Sequence, residues 1–188
     1  MSEIIIVGGG AAGMMAAIAA ADQGHQVTIL EKNEKLGKKV FITGKGRCNI
    51  TNDSDVENLL QHTIRNPRFL YSAFYTFDSS RMMEFLESEG LRIKTERGNR
   101  VFPQSDHSSD VIRTLEKAMK KRDVTVRLRT KVLEILVQDG RCCGVVAQKT
   151  EGGTKETLSA DAVITATGGV SYPSTGLSLI HISEPTRP

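Results

Sequence analysis

The chain opens on an uninterrupted apolar run, Ile4 to Val7, that halts at three consecutive glycines, Gly8 to Gly10. A β-branched run without polar alternation predicts a short strand buried on both faces. The alanine-rich stretch Ala11 to Gln23 predicts a helix whose small side chains let it lie close to a sheet, with Gly24 placed to end it in a left-handed conformation. Gln26 to Leu30 predicts a second strand. Strand, helix and strand within about 30 residues is the length of a parallel βαβ unit with a right-handed crossover.

Further along, Asn66 and Pro67 predict an N-cap and a first helical position. Phe69, Leu70, Ala73, Phe74 and Phe77 then share one face, which reads as helix core rather than a substrate box. Asp78 to Ser80 opens another helix carrying Met82, Met83 and Leu86, and Gly90 closes it. Leu91 to Phe102 predicts a hairpin around Arg97, Gly98 and Asn99. A helix from about Ser109 to Lys121 turns Val111, Ile112, Leu115, Ala118 and Met119 inward, with basic residues at its C-terminal end. Val124 to Leu128, Val132 to Val137, Cys142 to Gln148 and Ala162 to Thr165 predict strands, the middle pair joined across Asp139 and Gly140. The fold class is α/β, a Rossmann-like dinucleotide-binding domain with an antiparallel β insertion.

Composition narrows the function classes. A chain of 188 residues buries one fair-sized core, or one domain and the start of another. Its hydrophobic fraction of 39% and charged fraction of 25% exclude a disordered or fibrous chain. The formal charge of +3 is spread over Lys38, Lys39, Lys45 and Arg47 and later over Lys117 to Arg122. No long basic block marks a nucleic-acid tail, so the expected partner is a small molecule together with a phosphorylated cofactor, and no nucleic acid or membrane. Cys48, Cys142 and Cys143 make no CxxC spacing, and reduced cytoplasmic thiols fit them. His25, His62 and His107 show no ligand or triad spacing, so no metal and no catalytic residue is assigned. Nothing in the pattern speaks to oligomeric state.

Gly8-Gly9-Gly10-Ala11-Ala12-Gly13 satisfies GxGxxG where the chemistry needs it, between a strand and a helix. Gly8 permits the tight turn, and Gly10 lets backbone approach a pyrophosphate. Ala11 and Ala12 begin the helix whose amides and dipole favour an anion, and Gly13 allows close helix–sheet packing. Glu31 ends the second strand about 20 residues beyond Gly10, where a carboxylate accepts hydrogen bonds from ribose hydroxyls. The plain alternative is a glycine-rich turn with Glu31 as a solvated charge. A carboxylate at that place repels the 2′-phosphate of NADP, which leaves FAD or NAD.

A second signal runs from Gly37-Lys38-Lys39 through Ile42-Thr43-Gly44-Lys45-Gly46-Arg47-Cys48-Asn49-Ile50-Thr51-Asn52. Gly44 and Gly46 read as a flexible loop of exposed N–H groups with Lys45 and Arg47 beside it, suited to a pyrophosphate or the electron-rich edge of a reduced flavin. The alternative is a turn with solvated basic residues. Cys48 could be a reactive thiol but reads better as a small packing residue. Cys142 and Cys143, on opposite faces of a strand, read as structural. Thr167 and Gly168 follow a buried strand, where backbone comes close to a cofactor.

These strings, with Arg97-Gly98-Asn99-Arg100-Val101-Phe102-Pro103, Asp161 to Gly169 and Ser171-Tyr172-Pro173, resemble the bacterial flavoprotein family that includes aminoacetone oxidase-like proteins and bile-acid 3-dehydro-Δ4,6-reductases. The resemblance implies FAD as cofactor, with NAD(P)H as a candidate reductant. It implies cofactor contacts at Lys32, Lys38, Thr43, Gly44, Gly46, Arg47, Cys48, Asn49 and Val132 as well as at the GxGxxG turn, Glu31, Thr167 and Gly168. It also implies hydride transfer with an unsaturated ring ketone or a small amine. An NAD-dependent dehydrogenase and a non-catalytic nucleotide-binding module are the alternatives. The similarity covers Met1 to about Gly176, so residues 1–176 read as an incomplete FAD-binding domain. Residues 177–188 resemble translated sequencing-library adapter and read as non-native. The chain alone is expected to be a poor or inactive flavoprotein.

Overall fold

The computed structural model describes residues 1–169, in two units: Met1–Val40 with Leu115 onward, and Phe41–Thr114. The readings at Ser171-Tyr172-Pro173, at the Gly176 boundary and at 177–188 lie outside the described residues.

The first unit begins with β1 (Glu3–Val7), α1 (Ala11–Asp22) and β2 (Gln26–Leu30), with β1 and β2 parallel and Val7 opposite Leu30. Gly24 takes φ +79 just past the helix, where its N–H donates to the Ala21 carbonyl at 2.9 Å. A single turn, α2 (Lys38–Ile42), follows, and a 3₁₀ turn, Thr43–Gly46, then belongs to the second unit.

The second unit then adds β3 (Thr51–Asn52), α3 (Val56–Gln61), α4 (Pro67–Thr76), α5 (Ser79–Ser88), β4 (Ile93–Glu96) and β5 (Arg100–Pro103). Its sheet is antiparallel, in the order β3-β5-β4. Asp55 and Asp78 cap α3 and α5, each carboxylate accepting from the backbone N–H three residues on, at 2.8 and 2.9 Å. At α4, Asn66 takes the N-cap position and Pro67 begins the helix as read, although Asn66 is left-handed and makes no side-chain cap bond. One expectation fails there, because the aromatic face is not core: Phe69 is 79% exposed and Phe77 43%. The principal neighbour of α4 is α3, whose six residues are too few to cover that face.

The chain continues through α6 (Ser108–Lys121), which buries Val111, Ile112, Leu115, Ala118 and Met119 as its periodicity predicts. Then come β6 (Thr125–Arg127), β7 (Thr130–Gln138), β8 (Arg141–Lys149), β9 (Glu156–Ser159) and β10 (Ala162–Thr165). The parallel sheet has the order β10-β1-β2-β6, and β7-β8-β9 forms a separate antiparallel sheet. Asp139 and Gly140, both at positive φ, make the β7–β8 turn.

Strand alternation assigns the two faces of the parallel sheet. Ile5, Val7 and Leu30 pack with Val132, Val145, Ala147 and Ala160 of the antiparallel layer. Ile6 and Ile29 are fully buried, as are Met14 and Ala17 of α1, the helix that touches β1, β2 and β10. Each such large aliphatic side chain contributes about 1.5–3 kcal/mol by burial. Two covered faces are why β1 reads as an unbroken apolar run.

Candidate cofactor site

The carboxyl ends of β1, β2 and β10 converge on the glycine turn. Gly8, at φ +107, donates its N–H to the Leu30 carbonyl at 2.9 Å, and a Cβ there would stand 2.6 Å from the Ala166 carbonyl oxygen. A Cβ on Gly13 would stand 1.9 Å from the Gly8 carbonyl oxygen, and one on Gly9 would meet Leu36 at 2.2 Å. The fold itself therefore demands glycine at positions 8 and 13, where backbone stands in the way, while at Gly9 the Leu36 side chain would have to shift.

Gly10 differs, because a Cβ on it would meet nothing within 4 Å and its φ of −80° suits any residue. It caps α1 without a side-chain hydrogen bond, no acidic residue lies in the first turn, and Ala11 and Ala12 are exposed. The first turn of this twelve-residue helix is thus exposed and without a capping side chain, an arrangement that suits an anion.

Glu31 is not a solvated strand-end charge; it is only 7% exposed. Its Oε2 accepts from the Gly9 N–H at 2.6 Å, and Oε1 accepts from the Asn33 backbone and side-chain N–H groups at 2.8 and 2.7 Å. A carboxylate has about four acceptor sites, so a ribose must share or displace one of these bonds. Lys32 is half-buried beside it. Lys38 turns to Glu34 at 3.1 Å and Asn33 at 3.4 Å. A backbone hydrogen bond, then Lys38, holds the Glu34 carboxyl below the usual carboxylate range.

Past β10, Thr167 is 9% exposed and its hydroxyl is buried without a hydrogen-bond partner. Gly168 follows at φ +78, and the Lys39 Nζ lies 3.7 Å from where its Cβ would be. Gly9, Leu36 and Lys39 were not singled out from the sequence. Lys39 carried only the signal of a second lysine after Gly37. Val132 is 4% exposed and core-packed, so its side chain is committed to the fold and only its backbone could meet a ligand.

The second motif lies in the other unit, and its local structure differs from the flexible loop read from sequence. Thr43, Gly44 and Gly46 belong to the 3₁₀ turn. Arg47 is not a free cation beside it. Its Nε donates to Asp106 at 3.0 Å, its Nη2 donates to Glu96 at 2.6 Å and to Asp106 at 2.5 Å, and its guanidinium lies 4.3 Å over the Phe102 ring. Lys94 joins at 2.7 Å from Asp106. Arg47 chiefly lowers the Glu96 carboxyl, Lys94 and then Arg47 lower Asp106, and these acids raise Arg47 in turn. Cys48 is buried at 7% exposure and φ +61, in keeping with a packing role. With its amide nitrogen turned toward them, Asn49 donates to the carbonyls of Val101 at 3.2 Å and Thr51 at 3.0 Å. This motif fastens its turn to the β-hairpin.

Cys142 is half-buried and Cys143 exposed. Among the described residues no three His, Cys, Asp or Glu side chains gather as a metal cluster, and no helix is long and apolar enough to cross a membrane.

The sequence profile described as the HI0933-like protein Rossmann domain matches residues 2–183. The chain belongs to this family. FAD is the cofactor that the HI0933-like Rossmann family and its fold call for. The open Gly10 face and the orphaned Thr167 hydroxyl fit such a dinucleotide. Among curated relatives, this family member is 37% identical to the 3-dehydro-bile acid delta(4,6)-reductase of Clostridium scindens over 94% of this chain and 41% of that protein. It is 29% identical to the ribosomal RNA dihydrouridine synthase of Escherichia coli over 94% of this chain and 42% of that one. The HI0933-like chain thus spans about two fifths of the length of these relatives. Its fold is similar to that of 3-ketosteroid-delta4-(5alpha)-dehydrogenase from Rhodococcus jostii RHA1, with a TM-score of 0.71 and 16% identity over 89% of this chain and 46% of that one.

Proposed function

We propose that this chain holds the ADP half of FAD in an oxidoreductase that reduces a ring carbon–carbon double bond conjugated with a carbonyl. The observation that carries the cofactor assignment is the open face at Gly10, where the first turn of α1 is exposed and nothing in the fold needs the glycine. Gly10, Ala11 and Ala12 would hold the pyrophosphate, Glu31 the adenosine ribose, and Thr167 and Gly168 the cofactor edge beyond β10. The backbone of Val132 is a candidate contact for the adenine half. Bound FAD supplies hydride exchange; the residues named here bind it and fix its direction along the sheet edge.

The substrate class rests on the relatives. A 3-dehydro Δ4,6 bile acid and a uridine both present a ring double bond conjugated with a carbonyl, whereas oxidation of a small amine has its counterpart in an L-aspartate oxidase that is 29% identical, below the 37% of the bile-acid reductase. The higher identity to the bile-acid reductase favours a small-molecule ring ketone. A second reading, a uracil ring within RNA, is favoured by exposed Arg65, Arg68, Phe69, Tyr71 and Tyr75 on and before α4, a mixture of cations and stacking surfaces. By the same reading the second motif keeps its turn in place through Arg47 and Asn49.

The test uses the full-length protein with FAD under anaerobic conditions. Reduced flavin should be reoxidised by a 3-keto-Δ4,6 steroid, and oxidised flavin should not be reduced by a small amine. Reoxidation by uridine-containing RNA alone would support the second reading. Reoxidation by neither would reject both.

A further inference from the structure

We propose that Lys39 is the cation that matches the negative charge of the bound dinucleotide, with the Thr167 hydroxyl as the hydrogen-bonding group beside it. The inference rests on the FAD reading and assigns residues within that same site.

The fold marks the place. In the order β10-β1-β2-β6 the chain leaves β1 for β2 on one side, while β10 pairs on the other, so the strand order reverses between β1 and β10. Ligands of open parallel sheets bind outside the carboxyl ends of the strands at this reversal. Gly8 follows β1 there, and Thr167 and Gly168 follow β10; a Cβ on Gly8 would stand 3.2 Å from the Thr167 Cα.

Two groups at this spot lack partners among the described residues. The Thr167 hydroxyl is buried without a hydrogen bond to any of them, although almost every buried polar atom in a folded protein has one. Lys39 is half-buried with its Nζ against Gly168, and among the described residues no carboxylate lies within 4.0 Å of it. Its neighbour Lys38 is equally half-buried but is paired with Glu34 at 3.1 Å. A cation and a hydroxyl that are both unmatched, at the sheet's reversal and next to the uncapped α1 amides, describe a receptor for a polar anion. Two parts of FAD have this chemistry: the pyrophosphate, and the pyrimidine edge of the flavin, where charge collects on reduction.

Calorimetric titration of ADP and of FAD into the full-length apo-protein and its Lys39→Met, Lys39→Arg and Thr167→Val variants would test this, with circular dichroism to confirm folding. If Lys39 faces the pyrophosphate, Lys39→Met weakens ADP and FAD alike by about ten-fold or more, the scale of a lost charge-assisted hydrogen bond, and Lys39→Arg recovers most of it. If it faces the flavin, ADP affinity is unchanged, whereas FAD affinity falls and the midpoint potential of bound FAD becomes more negative. Thr167→Val should weaken whichever ligand Lys39→Met weakens. A folded Lys39→Met that binds both ligands as the unaltered protein does, at an unchanged potential, overturns the inference and leaves the FAD reading standing. An unaltered full-length protein that binds neither ligand overturns both.

Discussion

The turn at Gly8–Gly13 and the turn at Thr43–Asn49 carry the same outward signature, glycines beside groups that favour an anion, yet their groups are engaged to different degrees. At the first, Gly8 and Gly13 are consumed by close packing against backbone, while among the described residues the Gly10 face, the α1 N-terminus, Lys39 and the Thr167 hydroxyl are left unmatched. At the second, the guanidinium is shared between two carboxylates and stacked on a ring, and Asn49 is tied to two carbonyls. A motif's chemistry is therefore better read from what it leaves unpaired than from its residue types. A site must retain unmet hydrogen bonds and charge for its ligand, whereas a brace satisfies its own.

The sharpest way to break this comparison is within the first turn. Gly13→Val would drive a side chain into the Gly8 carbonyl, already 1.9 Å from the first added carbon. It should cost about 3 kcal/mol or more, overpacking against backbone that has nowhere to move. A denaturant melt that matches the unaltered chain would show that the helix does not lie against the turn as described.

Glu31→Gln should come next. The carboxylate holds the Gly9 N–H and both Asn33 donors, so its loss should destabilise the chain by about 1–3 kcal/mol even without cofactor, the cost of charged hydrogen bonds at a buried site. A loss of FAD affinity with no change in apo-protein stability would instead make Glu31 purely a ribose ligand.

In the second motif the effect should be one of pH. Glu96 and Asp106 have carboxyl pKa values depressed by Arg47 and Lys94. The stability they contribute is present above their unfolded values, near pH 4, and is lost as pH falls through their lower folded values. Arg47→Ala should therefore shrink the acid-side slope of the melting temperature. An unchanged acid limb would mean that the network does not brace the turn. Replacing Phe69 by Ser should change stability by no more than about 0.5 kcal/mol, as expected at an exposed position. A large loss would mean that α4 is covered in solution.

Much of this arrangement was legible in the chain. The unbroken Ile4–Val7 run, the alanine helix and Ala162–Thr165 marked the parallel sheet because burial on two faces leaves a strong signal. Weak signals hid other elements: β3 has two residues, and β9 has a single apolar side chain, Leu158, with which to announce itself. The short α3 was betrayed only by Asp55, whose cap is visible once the helix is known. Aromatic periodicity in α4 was read as core because spacing reports which residues share a face, not whether a neighbour is large enough to cover it. At the site, local spacing marked Gly8, Gly10, Gly13 and Glu31. Arg47's acids lie 49 and 59 residues away, and Lys39 meets Gly168 only through the fold, so neither relation could be read from spacing.

The claim that Gly10 belongs to the ligand, while Gly8 and Gly13 belong to the fold, is tested most directly by titrating FAD into the full-length apo-protein and into its Gly10→Val variant, with a thermal melt of each. The account predicts superimposable melts, because the new side chain meets nothing within 4 Å among the described residues, together with saturable FAD binding by the unaltered protein and none by the variant. Equal FAD binding by both would contradict it.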